Sequence, residues 1–326
     1  MNRMSAARRA LPELVEFDHT GDDFLAAVVT GLALPQKRIP SKFFYDETGS
    51  RLFDEICELP EYYPTRSELS VLAAHAGDIA ALAGPGASLV EFGSGSSVKV
   101  RLLLDAMREP AAYLPVDISR DHLLAAARRL AADYPAVPVV PVCADYTRPF
   151  TLPEVSGERA RVGFFPGSTI GNFSRAEAKA FLEAVAGDLG PGAGLLIGVD
   201  LRKDRRILHA AYNDAAGVTA QFNLNLLARA NRELGADFDL DAFAHDARWL
   251  EAEGRIEMHL VARRAQTVTV DGVRFRFAAG ESIHTEDSHK YAVDEFRTLA
   301  AAAGWTPTAC WTDANDLFSV HWLVAG

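Results

Sequence analysis

Between residues 88 and 200, short apolar runs alternate with stretches of helical spacing. SLVEF (88–92) closes on Gly93-Ser94-Gly95, and the following VKVRLLLDAM places Val98, Leu102 and Leu103 at helical intervals. YLPVD (113–117) leads through Ser119, a favourable N-cap, into the alanine-rich DHLLAAARRLAADY. VPVVPVCAD (137–145), RVGFFPG (161–167) and LLIGVD (195–200) supply three more apolar runs. Ser174 and Glu177 form a capping-box pattern for the helix between the last two, and Pro191-Gly192-Ala193-Gly194 marks its end. Five apolar strands separated by helices predict an α/β fold with a parallel sheet covered on both faces. Ligands of such sheets bind beyond the carboxyl ends of the strands. Those ends are Glu91-Phe92-Gly93, Asp117, Asp145, Gly167 and Asp200, so acids and glycine turns share one rim.

The flanking segments follow another pattern. Residues 1–66 are mixed and end in a stretch rich in proline and aromatics, and Thr65 with Glu68 spells a capping box that predicts a helix start. Residues 203–290 hold helical segments and then the strand-like GRIEMHLVARR, QTVTV and VRFRF, with a turn at Asp271-Gly272. This β-containing insertion is expected to pair in space with the first 66 residues. A helix (VDEFRTLAAAAG) and two strands near WTPTACWTD and LFSVHWLVAG close the chain, the strands as an antiparallel pair at the sheet edge. The division expected is therefore 67–202 with 291–326, and 1–66 with 203–290.

The chain has 326 residues, enough for one large or two modest cores. Its formal net charge of −11, without any run of about five or six like charges, argues against a nucleic-acid partner. Cys57, Cys143 and Cys310 lie far apart, as buried thiols in a reducing compartment do. The first residues carry early arginines, but acids interrupt them before an apolar core of signal-peptide length. No stretch approaches the roughly 18 apolar residues of a membrane span. These features predict a soluble, cytoplasmic protein.

Four segments carry candidate chemistry. In Glu91-Phe92-Gly93-Ser94-Gly95-Ser96 the glycines let backbone approach a ligand, and Asp117 downstream can accept from both hydroxyls of a ribose. Dinucleotide sites use the same parts. Here, however, Val98 stands where their third glycine would be, and Glu91 precedes the first, which favours S-adenosylmethionine (SAM). Asp145-Tyr146 offers a carboxylate to an adenine amino group and a ring to stack on it. Taken singly, each acid also reads as a solvated strand end or helix cap. Gly167-Ser168-Thr169-Ile170-Gly171-Asn172 lies at the fourth strand end, where Asn172 either binds a ligand carboxylate or amine or merely shapes the turn. In Ile283–His289 an extended chain puts residues 284, 286 and 288 on one side, so a metal site of His284, Glu286 and His289 would need a turn. No metal is expected, and Glu286 with Ser288 could instead hold a polar ring. Tyr62 and Tyr63, pinned between Pro60 and Pro64, suit either a pocket wall or a structural corner.

The stretches FFYDETGSRLFDEICELPEYYPTR, LVEFGSGSSVKVRLLLDAM, FFPGSTIGN, AAYNDAAGVTAQFN, RELGADFDLDAFAHDARW, RIEMHL and HTEDSHKY occur in order through most of the chain. Together they resemble the histidine Nα-methyltransferases of ergothioneine biosynthesis. The resemblance implies a Rossmann-like class I methyltransferase sheet with a second, mixed α+β substrate-binding domain. It implies that Gly93, Lys99, Asp117, Asp145 and Tyr146 line the SAM site. Asn172 and Tyr212 would hold the substrate carboxylate, with Gly167 beside the amine. Tyr62, Glu286 and Ser288 would hold the imidazole, Met258 would pack against it, and Tyr45 would sit near the amine as the catalytic residue. The implied reaction is three successive methylations of L-histidine to hercynine by a monomer, with S-adenosylhomocysteine released each time. Two departures stand out. Asp287-Ser288-His289-Lys290-Tyr291 replaces a more apolar, cysteine-containing version, and FNLNLL lacks an arginine. The alternative is a methyltransferase of the same fold acting on another amine such as tryptophan, which the polar pair Glu286 and Ser288 disfavours.

Overall fold

A computed structural model describes residues 12–17, 24–95, 98–148 and 150–326. The chain begins with β1 (Val15–Glu16), α1 (Phe24–Leu32) and β2 (Lys37–Arg38), and a 3-10 turn over Ser41–Phe44 leads to α2 (Glu47–Glu58) and α3 (Tyr63–Ala83). The alternating part follows as β3 (Ala87–Phe92), α4 (Val98–Ala106), β4 (Ala112–Asp117), α5 (Arg120–Asp133), β5 (Val142–Cys143), β6 (Ala160–Phe165), α6 (Arg175–Leu189) and β7 (Gly194–Asp200). Helices α7 (Arg205–Tyr212) and α8 (Val218–Leu234) precede β8 (Phe243–Leu250), β9 (Arg255–Ala262), β10 (Gln266–Val270), β11 (Val273–Phe277) and β12 (Ser282–His289). Helix α9 (Val293–Ala302) and the pair β13 (Trp305–Thr312) and β14 (Phe318–Ala325) complete it.

The large sheet has eight strands in the order β1-β5-β4-β3-β6-β7-β14-β13. β3 to β7 run parallel, whereas β14 is antiparallel to β7 and β13 pairs with it at the edge. Every residue of β3 and β7 is buried, as an unbroken apolar run demands when helices cover both faces. From β3 the chain builds β4 and β5 to one side and β6 and β7 to the other. A crevice therefore opens at the carboxyl end of β3, where the direction of winding reverses. The capping box of Ser174 and Glu177 forms as expected at the start of α6. Asp271 and Gly272, at φ 46° and 78°, make the turn of the β10–β11 hairpin.

A four-stranded sheet, β2-β12-β9-β8, forms the second layer system. Its apolar core joins Val28, Phe44 and Leu52 to Leu226, Leu260 and Ile283, whereas two further cores flank the large sheet.

Several local expectations are corrected. β1 does not join the insertion; it pairs with β5 in the large sheet. Of the run 137–145, only Val142 and Cys143 enter the ladder as a strand, beside an isolated bridge at Val139. Pro138 and Pro141 have no N–H to donate. The helix expected to start at Thr65 begins at Tyr63, and Glu68 lies inside it, fully buried, rather than capping it. The ladder of β12 shifts register between His284 and Glu286, so simple alternation fails there.

Candidate active site

The rim at the ends of β3, β4 and β5 is knit by backbone hydrogen bonds. Gly93 turns out of β3 at φ 78°, and its N–H donates to the Val116 carbonyl at 2.9 Å. An added Cβ there would meet the Tyr146 hydroxyl at 3.7 Å, so the loop lies close against that side chain. Asp117 accepts the Ser119 N–H at 2.8 Å, and burial raises its carboxyl above the usual range. Asp145 accepts from the Thr147 N–H at 2.9 Å through Oδ1, whereas its buried Oδ2 accepts no hydrogen bond and faces Lys42 Nζ at 3.6 Å and Arg148 Nε at 3.7 Å. The buried Ser94 hydroxyl is also unpartnered. Tyr146 is held edge-on by Phe92 and Phe165, with centroids 6.3 and 5.8 Å away. Burial pushes Glu91 up to about 7, and the Tyr113 hydroxyl donates to it. A close glycine turn, strand-end acids and an unpartnered hydroxyl fit the nucleoside of SAM. Ser96 lies outside the described residues.

Glu68 ties this rim to the next strand end. Its carboxylate accepts the Gly167 N–H at 2.9 and 3.1 Å and pairs with Lys99 Nζ at 2.5 Å. Gly167 itself turns at φ 78°. Behind the carboxylate, a Cβ on Gly198 would stand 2.1 Å from Glu68 Oε1, so β7 leaves room for this acid only with glycine.

Beyond Gly167 lies a pocket. Tyr45, Tyr62, Gly167, Asn172, Tyr212, Met258, Glu286 and Ser288 all line it. Tyr45 follows the 3-10 turn and packs edge-on against Phe53 and Phe222 at 5.6 and 5.7 Å. Tyr62 is the N-cap of α3, Tyr212 ends α7, and Met258 on β9 stands opposite Glu286 on β12. The register shift turns Glu286 and Ser288 into this pocket, whereas His284, Asp287 and His289 line a different cavity. The trio His284, Glu286 and His289 is therefore split between two faces.

Burial governs the electrostatics here. It pushes the Glu286 carboxyl up to about 7, against the pull of Lys290 and a hydrogen bond from Asn172. It also raises the Tyr45 phenol well above its ordinary value, and Glu286 adds to the effect. Beneath the pocket, Asp200 accepts from the Tyr63 hydroxyl at 2.8 Å and pairs with both Lys203 and Lys290. Lys290 Nζ also donates to Ser288 Oγ at 2.7 Å and to the Tyr212 hydroxyl at 2.9 Å. Burial lowers Lys203 to about 8. Burial opposes the charge on Lys290 as well, but Asp200 beside it raises its pKa above the ordinary lysine value.

Sequence reasoning missed Glu68, Lys203 and Lys290 as site residues, and it noted Asp200 only as a strand end. Lys290 was within reach, because it belongs to the motif HTEDSHKY that carries Glu286 and Ser288.

Residues 24–325 match the family model described as histidine-specific methyltransferase, SAM-dependent. The histidine N-alpha-methyltransferase of Mycolicibacterium smegmatis is 44% identical, across 97% of this chain and 99% of its own. That of Mycobacterium tuberculosis is 44% identical across 93% and 97%. Ergothioneine biosynthesis protein 1 of Neurospora crassa is 30% identical over 92% of this chain, which spans 35% of that longer protein. The chain belongs to the histidine-specific, SAM-dependent methyltransferases.

In this methyltransferase the rim and the pocket adjoin at Gly167. Gly167 lies between them: its N–H is held by Glu68, and the point where its Cβ would stand is 3.6 Å from Lys99 Nζ. Such an arrangement can present a small amine to a donor lying along the strand ends. Among the described residues, no helix is long and apolar enough to cross a membrane.

Proposed function

We propose that the protein transfers methyl groups from SAM to the α-amino group of free L-histidine, three times, giving hercynine for ergothioneine biosynthesis. The observation that carries this reading is the pairing of Glu286 and Ser288 in one pocket wall with Tyr212 and Asn172. An imidazole has two nitrogens to satisfy, and a buried carboxylate beside a hydroxyl matches both. Tryptophan has one ring N–H and no second ring nitrogen, so it could pair with only one of these groups, and its larger ring must fit the same pocket.

In this reading Tyr62, Glu286 and Ser288 hold the imidazole, and Met258 packs against it. Asn172 and Tyr212 hold the carboxylate, and Gly167 sits beside the amine. One carboxylate, Asp200, faces two ammonium groups, Lys203 and Lys290, and their surplus positive charge lies under Tyr212, where a substrate carboxylate would add the balancing negative one. Gly93, Lys99, Asp117, Asp145 and Tyr146 hold SAM. Residues 67–202 with 291–326 then form the domain that holds the donor and lends Gly167 and Asn172 to the pocket, and 1–66 with 203–290 form the amino-acid domain, β1 excepted.

The sulfonium of SAM supplies an already activated methyl group. The chain's task is to hold a neutral amine in line with it, which is worth several kcal/mol of barrier through orientation alone. The raised pKa of Tyr45 makes it a neutral hydrogen-bonding phenol rather than a tyrosinate base. Tyr45 thus orients the amine, and the proton leaves to a water beside it. We further read the enzyme as a cytoplasmic monomer acting on a small molecule, with neither nucleic acid nor membrane as partner; its net charge of −11 supports the first exclusion.

The test is mass spectrometry of purified protein incubated with SAM and a panel of free amino acids. Histidine is expected to gain one, two and then three methyl masses while tryptophan stays unchanged. Consumption of another amine with histidine untouched would overturn the substrate assignment and leave the SAM site standing.

A further inference from the structure

The reverse face of the substrate sheet carries a second set of ligand-type side chains. β9 and β12 run antiparallel, with His259 opposite His284 and Glu257 opposite Asp287. Ile256, Met258 and Leu260 of β9 face the apolar core, so Glu257 and His259 point away from it. They border a cavity of about 620 Å³ that His284, Asp287 and His289 also line. A carboxylate oxygen of Glu257 and a ring nitrogen from each of His259 and His284 lie within 4.8 Å of one another.

Proximity alone would describe any polar cluster. Here each imidazole is also oriented through a second nitrogen. His259 Nδ1 lies 3.0 Å from Ser282 Oγ, which leaves Nε2 facing Glu257 Oε2 at 2.9 Å. His284 Nε2 lies 3.1 Å from the Glu286 carbonyl and 3.4 Å from Asp287 Oδ1, which leaves Nδ1 to ligate. Metal-bound histidines hold their outer N–H on such hydroxyls, carbonyls and carboxylates, which fixes tautomer and ring plane. A further observation points the same way: His289 lines this cavity, is 5% exposed, and has an Nδ1 with no hydrogen-bond partner. A water on a bound metal would supply one. Arg38, Arg175 and Arg255 line the same cavity and weigh against a cation, but Arg175 is paired with Glu295 at 2.6 Å, and the Arg255 guanidinium is neutralised by Glu257 Oε1 at 2.5 Å and Asp287 Oδ1 at 2.9 Å. Glu257 Oε2 remains on the histidine side.

We propose that Glu257, His259 and His284 bind one transition-metal dication of the zinc class, with its open coordination positions toward the cavity. Two imidazoles and one carboxylate select such an ion over magnesium or calcium, which take oxygen sets. The ion takes no part in methyl transfer. It joins β9 to β12 where their ladder shifts register, behind the strand that carries Glu286 and Ser288. Binding moves the His259 proton from Nε2 to Nδ1, where it donates to Ser282, and Nε2 gives its lone pair to the metal.

The test uses the full chain stripped with a chelator and titrated with Zn²⁺ by calorimetry, and with Co²⁺ by visible absorption. One ion per chain is expected, with Co²⁺ ligand-field bands and a raised unfolding midpoint. Glu257→Gln, His259→Asn and His284→Asn should each weaken binding at least tenfold. Ser282→Ala, which touches only the outer nitrogen of His259, should weaken it by about tenfold. His75→Asn, on the half-exposed face of α3, and Cys57→Ser should leave it unchanged. Absence of saturable one-to-one binding to the unmodified chain overturns the proposal, and so does binding that survives all four site variants.

Discussion

Lys290 Nζ lies 2.7 Å from Asp200 Oδ2, and both side chains are 1% exposed. The strand end of the large sheet is thereby bolted to the residue that follows β12 of the small one. Backbone bonds reinforce the joint, because the Tyr291 N–H donates to the Asp200 carbonyl at 3.0 Å. Lys203 pairs with the same carboxylate from the other side. The ion cluster thus sits where the two sheets meet, directly below Tyr212 and Ser288.

Removing the one acid strands two lysines. Asp200→Asn should cost about 3–5 kcal/mol, the usual penalty for leaving buried charge unpaired. Lys203→Met should cost less, because Asp200 keeps Lys290 and Lys203 is already the more easily deprotonated of the two. Urea denaturation of both variants checks the order. A smaller loss for Asp200→Asn would mean that the lysines shed their charge on folding.

The two halves of the site should separate under mutation. Glu286→Ala leaves an imidazole N–H without its acceptor, at about 1–3 kcal/mol, so the KM for histidine should rise roughly five- to 150-fold. Its affinity for SAM should stay nearly constant. Asp117→Ala should do the reverse. Calorimetry with SAM and initial rates against histidine measure both. Equal losses of both ligands in Glu286→Ala would make that residue structural, and unchanged SAM binding in Asp117→Ala would remove the ribose assignment.

Where sequence and structure agree, the physics was local or strongly periodic. The large sheet could be read from apolar runs because strands covered on both faces have no polar side to interrupt them. β5 was overdrawn because Val137–Val140 is as apolar as a strand, although Pro138 and Pro141 break its ladder. Thr65 and Glu68 have the spacing of a capping box, but the Gly167 N–H and Lys99 claim the acid instead, and only the tertiary fold brings them there. The same holds for β12, whose register shift separates Glu286 from His284 without any glycine or proline to announce it. The pocket residues named through family motifs converge on one cavity, yet the charges beneath them were missed. A lysine in sequence reads as a solvated head group, and nothing short of Asp200 beside it shows that Lys290 is buried.

Gly198 offers a test of the Glu68 relay that leaves every polar group in place. Alanine there would put its Cβ 2.1 Å from Glu68 Oε1 and 3.0 Å from the Phe318 ring, in a fully buried strand. Overpacking of this kind costs about 1–3 kcal/mol, and displacement of Glu68 should loosen Gly167 and Lys99 together. Gly198→Ala should therefore lower both the unfolding midpoint and kcat. Gly187→Ala is the control: this helix glycine has open space around it, and alanine should stabilise by roughly 0.5–1 kcal/mol. Full activity in Gly198→Ala would show that Glu68 can move without consequence.

His321 predicts how the fold responds to acid. Its imidazole is fully buried on β14, with Nε2 2.9 Å from Ser319 Oγ, Phe296 4.8 Å away and Nδ1 unpartnered. Burial, helped by Arg297, pushes its pKa down to about 3 from the ordinary 6.5. The folded value thus lies below the unfolded one, so between these two pH values the unfolded chain binds the extra proton. Stability is lost as pH falls below about 6.5, at roughly 1.4 kcal/mol per pH unit from this residue, and nothing is lost above it. His321→Gln keeps a polar side chain but cannot titrate. Urea denaturation of both proteins at pH 7.5, 6 and 5 should show the wild type losing stability faster than the variant, with the two curves parallel only above neutrality. Parallel curves throughout would mean that the folded protein accepts the proton at this site as readily as the unfolded chain.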